Sequence, residues 1–156
     1  MNSYDILKVI HILSVCLMIG ATAINGLLHA LVIKGNSPLP ASQTLHNIMQ
    51  VNRLIMAPGF VGIIVSGLWL IQVVGFAVGD VWLLTSIILT AVLILAFGLG
   101  YRVEARLERI ADTANNEGQH GLPGSYRRLF GLVTPIGGGA TIISIIIVYL
   151  MVAKPM

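Results

Sequence analysis

Charge is what this chain has least of. Of its 156 residues only 10% are Asp, Glu, Lys or Arg, and aromatic side chains make up 6%. The few charges leave four uncharged runs, at residues 9–33, 54–79, 81–101 and 129–153. Each is long enough to cross a hydrocarbon core of ~30 Å at ~1.5 Å per residue. A soluble domain of this size would show shorter amphipathic stripes, each backed by a charged face. A soluble enzyme is thereby excluded. The single cysteine, Cys16, cannot form an internal disulfide or a CxxC metal site, which excludes a secreted disulfide scaffold. Its place inside the first run makes it a buried apolar filler. The basic excess is +3, with no extended patch interleaved with aromatics, so nucleic acid is excluded as a partner.

What is present is an all-α, polytopic membrane protein: a single domain over residues 1–156 forming a four-transmembrane-helix bundle. The spans are expected at about 6–33, 53–75, 81–101 and 129–152. A cleaved signal peptide is the alternative for the first run, because Ala21-Thr22-Ala23 resembles a cleavage site. However, Asp5 offsets Lys8, and the apolar run continues to residue 33, so the segment is read as a retained membrane helix.

The charges orient the bundle. Lys8 and Lys154 lie on the side of the termini. Lys34, Arg53, Arg102, Arg106, Arg109, Arg127 and Arg128 lie in or beside the first and third loops. The positive-inside rule makes those loops cytoplasmic and both termini periplasmic, in a bacterial inner membrane. Gly35 to Pro40 breaks the first helix, and Ser42 is a candidate cap for a helix through His46 into the second span. Pro58 predicts a kinked entry there. Trp82 is a candidate interfacial anchor after the short second loop.

The third span runs on as a cytoplasmic amphipathic extension. Val103, Leu107, Ile110, Ala111 and Ala114 recur at helical spacing with charges between them. It lies on the membrane or against the bundle, with the charges expected to face headgroups and water. Asn115 to Gly118 ends it, and Ser125 is expected to cap the return helix.

Polar residues within a bilayer are the default functional candidates. At ~100° per residue, His11, Ser14, Met18, Thr22, Asn25 and His29 fall on one face of the first helix. His11 and His29 stand about five turns apart, or ~27 Å. Two readings follow. One is a polar seam that hydrogen-bonds neighbouring helices. The other is a ligand face binding haem b, or copper as the alternative metal, through imidazole. His29 could pair with His46. His11 has no second histidine at its end, which leaves Met18 or another methionine, or a symmetry-related His11 in a homodimer. His120 sits in a Gly-rich loop and is read as solvated.

Gly59, Gly62, Ser66 and Gly67 predict close helix packing along the second span, and Gly137-Gly138-Gly139 either does the same along the fourth or lets its backbone approach a ligand. Packing is preferred there to a cavity opened by kinks at Pro58 and Pro135. No acidic residue lies deep in any of the expected spans, which argues against a proton-coupled transporter or a carboxylate-ringed channel. No nucleophile–base constellation supports hydrolysis.

The segments Leu7-Lys8-Val9-Ile10-His11-Ile12-Leu13 and Tyr149-Leu150-Met151-Val152-Ala153-Lys154-Pro155 resemble an uncharacterised bacterial integral membrane family, domain of unknown function 2269. Ala57-Pro58, Ser66-Gly67-Leu68, Trp82-Leu83 and Leu122-Pro123 with Tyr126 and Leu129 extend the likeness over nearly the whole chain. His11, Arg53-Leu54 with Pro58, and Gly67-Leu68 are also similar to four-helix membrane protoporphyrinogen oxidases and copper-resistance D proteins. That resemblance implies haem binding at His11. The oxidases carry a lysine soon after a tryptophan of their third helix, and Ser86 stands near that place here. This departure separates the chain from oxidase activity while leaving haem or copper binding as an expectation. Arg53, Tyr149 and Lys154 are candidates to hold haem propionates or a small acidic ligand. The alternative is a non-catalytic accessory subunit of a membrane complex, or a small-molecule or copper-handling membrane protein.

Overall fold

The computed structural model describes residues 2–154, so Pro155 of the terminal motif lies outside the described residues. All regular structure among them is helical: α1 (Ser3–Gly35), α2 (Pro38–Val51), α3 (Ala57–Val74), α4 (Val81–Asn116) and α5 (Gly124–Ala153). A π-helical turn, Asn52–Met56, joins α2 to α3 without a break. Four helical stretches are therefore long and apolar enough to cross a membrane: α1, the continuous Pro38–Val74, α4 and α5.

The π-turn has a local cause. Pro58 has no N–H, and its ring would clash with the carbonyl one turn back. The backbone widens just before it, and Ala57 N–H bonds to Asn52 O, five residues earlier. This turn buries Asn52 inside the bundle. Pro135 is accommodated differently, within a continuous α5, where its missing N–H leaves the Gly131 carbonyl without the usual partner.

Helix starts differ from the expected caps. Ser37 occupies the N-cap position of α2 without a side-chain capping bond, and Ser42 lies inside the helix, where its hydroxyl donates to Asp112 of α4. Pro123 precedes α5, so Ser125 is already helical. Pro at the first helical positions tolerates the absent N–H and is pre-set in φ, so Pro38 starts α2 with no need of a cap further on.

The loops pair as a four-span topology requires. Asn36 adopts a left-handed backbone (φ 47°) that ends α1. Its Oδ1 accepts from the Leu122 N–H at 3.3 Å and from Arg127 at 3.0 Å, tying the first loop to the third. At the other end the Lys154 ammonium lies 4.6 Å from the Phe76 ring centre and 5.6 Å from that of Trp82. The chain end and the second loop therefore share a side. Trp82 is buried against Phe76, edge to face at 5.2 Å.

The densest packing lies beyond the uncharged runs. Leu45 and Ile48 of α2 and Leu107, Ala111 and Tyr126 are fully buried in one cluster. Water makes apolar burial strongly favourable at that end, at ~25 cal/mol per Å². Between lipid-facing helices the same drive is absent, and small residues provide contact instead. The α4 extension is thus docked against α2, with only its outer face left to solvent. Cys16 is exposed on the outer surface of α1, not buried as its apolar surroundings had implied. An apolar run identifies a membrane segment, but it does not distinguish a face turned to lipid from one turned to the bundle.

Candidate functional site

The polar face of α1 divides into two parts. In the first part, α1 and α3 approach closely. A Cβ on Gly62 would stand 2.3 Å from Ser14 Oγ, and one on Gly67 would stand 3.2 Å from His11 Cε1. Gly59 backs onto the Ser14 carbonyl and Met18. His11 Nδ1 and Ser66 Oγ are hydrogen-bonded at 3.0 Å. His11 and Ser14 form the seam that the small residues of α3 were expected to provide.

The second part lines a partly open cavity of about 610 Å³ between α1, α4 and α5. Met18, Phe60 and Leu93 form its apolar end, and Asn25, His29, Asn52 and Glu104 are grouped on its polar wall. His29 Nε2 lies 3.0 Å from Glu104 Oε1. Asn52 Nδ2 donates to Glu104 Oε2, and Asn25 Nδ2 donates to Asn52 Oδ1 at 2.7 Å. All four side chains are buried. Asn25 Oδ1 and His29 Nδ1 are themselves buried and have no hydrogen-bond partner among the described residues, although buried polar atoms are nearly always paired. Phe130 packs on His29, with ring centres 5.7 Å apart.

Gly137 and Gly138 also line the cavity, and a Cβ on either, or on Gly139, would meet nothing within 4 Å. The glycines of α5 therefore leave space rather than pack, against the packing expected for the fourth helix and in keeping with the alternative of an open backbone. α1 touches α5 only lightly on this side.

Glu104 and Asn52 were not among the candidates from sequence. Glu104 follows the uncharged run by three positions and was grouped with the solvated charges of the extension. It is one turn from Leu107 on the stripe that continues through Ala111 and Ala114, all buried. An acid in line with an apolar stripe was the available signal. For Asn52 there was none, because the π-turn that directs it inward is set by backbone geometry.

The whole-chain comparison agrees with this architecture. The model of a family described as predicted integral membrane protein (DUF2269) matches residues 5–155. The chain belongs to this family. No curated protein and no solved structure matches it.

Against the expected haem or copper ligands, the DUF2269 chain places its histidines apart. His29 lines the cavity, but its Nε2 faces Glu104. His46 is exposed and bonds Glu108 at 3.1 Å, so it is not paired with His29. His11 is held against Ser66 and Gly67 and lines no part of the cavity. His120 is exposed in its loop. Met18 lines the cavity, whereas Arg53, Tyr149 and Lys154 do not. Among the described residues no group of three or more His, Cys, Asp or Glu side chains is arranged to hold a metal ion. A haem held between two imidazoles needs a pair that face one another across an open slot. His29 is the one histidine of this cavity lining, and His11 and His46 are engaged elsewhere by Ser66 and Glu108, so no such pair is formed there.

Proposed function

We propose that this protein is a non-catalytic, small-molecule-binding protein of the bacterial inner membrane. It takes a mostly apolar molecule from the bilayer into the cavity between α1, α4 and α5. The observation that carries this reading is the coincidence of an apolar cavity with two unpartnered polar atoms, Asn25 Oδ1 and His29 Nδ1, on side chains in its wall. Ligand sites typically combine an apolar lining with a few convergent polar groups in a volume of ~300–1,000 Å³. The light contact between α1 and α5 supports lateral entry. Ligands that bind from the hydrocarbon phase need no aqueous opening.

Methylpyrene is an uncharged probe that tests the cavity. Native mass spectrometry of protein extracted in mild detergent is expected to show one saturably bound methylpyrene per chain. Gly138→Phe fills open space in the lining and is expected to abolish binding; Gly26→Leu provides a second, smaller filling variant. Unsaturable binding, or equal binding by both folded variants, would defeat the reading.

The charge distribution supports cytoplasmic first and third loops, with Lys34 and five arginines of α4 and α5 on that side. With Cys16 replaced by serine, a cysteine introduced at His120 is expected to resist a membrane-impermeant maleimide in intact cells. One introduced at Val78 is expected to react. The opposite pattern would invert the orientation.

A further inference from the structure

Resting on the cavity reading above, we infer that the ligand is a lipophilic amine: an apolar body carrying a protonated, hydrogen-donating nitrogen that meets the Asn25–His29–Glu104 wall. The inference comes from an imbalance between donors and acceptors.

The serine and threonine hydroxyls lining the cavity donate within their own helices. Thr22 donates to Met18 O at 2.9 Å, Thr134 to Phe130 O at 3.2 Å, Thr141 to Gly137 O at 3.0 Å, and Ser144 to Ala140 O at 2.8 Å. They offer the cavity only lone pairs. Asn25 directs its amide nitrogen to Asn52 Oδ1 and to Met56 Sδ at 3.7 Å, leaving Oδ1 as an acceptor. A neutral His29 that donates Nε2–H to Glu104 has an acceptor at Nδ1, the atom without a partner. Glu104 in its ionised form is itself acceptor-only. The donors left over are one amide hydrogen of Asn52 and the Tyr101 hydroxyl. In this wall the free acceptors outnumber the free donors.

Charge points the same way. Glu104 is the acidic residue of the lining, and no lysine or arginine contributes to it. A carboxylate or phosphate head would enter beside Glu104 without a counter-charge, and burial of an unpaired anion is heavily penalised. A protonated amine supplies donors and, beside a neutral His29, the positive charge that an ionised Glu104 lacks. Phe60, Phe97, Tyr101 and Phe130 contribute to the lining, and aromatic rings attract a desolvated cation placed over their faces. A neutral alcohol has a single O–H to donate and cannot offset the charge of an ionised Glu104.

Three probes with one apolar body separate these cases: pyrenylmethylamine, methylpyrene and pyrenecarboxylate, each titrated by native mass spectrometry against the full chain. The amine is expected to bind at least about tenfold more tightly than methylpyrene, because removal of a buried charge partner is costly. The carboxylate is expected not to bind saturably. Glu104→Gln is expected to erase the preference for the amine while methylpyrene still binds. If that variant does not fold, Gly26→Lys, which adds a cation to an open part of the lining, is expected to weaken the amine selectively. Equal affinity for amine and methylpyrene, or a preference for the carboxylate, would overturn the amine assignment and leave the cavity reading intact. Saturable binding of none of the three would overturn both.

Discussion

Glu104→Leu is expected to lower the stability of the folded bundle by about 3 kcal/mol, measured by denaturation in mixed detergent micelles. The substitution removes a carboxylate that receives His29 Nε2 at 3.0 Å and the Asn52 amide. Leucine occupies similar space but accepts neither, so two buried polar groups lose their partner at once. Each such group costs about 1–3 kcal/mol. Loss of one member of a buried ionic or charge-assisted pair costs about 3–5 kcal/mol. Much of the cost comes from the partners left behind, so it should shrink when one of them is also removed. In a His29→Leu background the same change should cost less, with a coupling energy of about 1–3 kcal/mol. Strict additivity of the two substitutions would show that the His29–Glu104 contact contributes nothing.

The second large effect lies on the other part of α1. Gly62→Ala should destabilise the bundle by about 1–3 kcal/mol, the usual cost of forcing atoms into a packed interface. Its Cβ would fall 2.3 Å from Ser14 Oγ and 3.1 Å from Ser14 Cβ, so rotation of the hydroxyl alone does not clear the clash. Ser14→Gly should restore most of the lost stability, because it empties the space the new methyl needs. By contrast, Gly138→Ala should be close to neutral, since nothing lies within 4 Å of the added atom. A Gly62→Ala protein as stable as the parent would mean that α1 and α3 do not approach this closely. Equal sensitivity at Gly62 and Gly138 would mean that the glycines of α3 and α5 have the same role.

The two glycine-bearing helices show where sequence patterns stop being informative. Gly59, Gly62 and Gly67 and the run Gly137-Gly138-Gly139 both offer small surfaces, and packing was the preferred reading of both. A small residue permits close approach without requiring it. α3 is brought against α1, where Ser14 and His11 meet its glycines, whereas α5 lies beside α4 and barely reaches α1. The difference is one of neighbours, which local spacing does not encode.

Glu104 illustrates the converse failure. Its charge and the flanking Arg102 and Arg106 suggested a solvated helix, but one carboxylate among them lies on the buried stripe. His29 and Asn52, which justify that burial, are separated from it by 75 and 52 positions in the chain. Similarly, His46 was a geometric candidate to meet His29 and instead faces Glu108 on the exposed side of α2. Imidazole-bearing helices can be listed from sequence, but the rotation of each about its own axis is fixed by packing.

By itself, the distribution of fifteen charged residues determined four membrane-length helices and the pairing of their loops, because uncompensated charge is excluded from a bilayer core. Helical periodicity determined that His11, Ser14, Thr22, Asn25 and His29 share one face of α1. Tertiary structure alone decided that this face would pack against α3 at His11 and Ser14 and open onto a cavity at Thr22, Asn25 and His29. It also brought Asn52 and Glu104 to the cavity wall. The physical reason is that periodicity specifies a direction around one helix axis, whereas a site requires two or more helices to place their side chains at the same point. Here that placement depends on the π-turn before Pro58, the docking of α2 on the end of α4, and the gap left between α1 and α5.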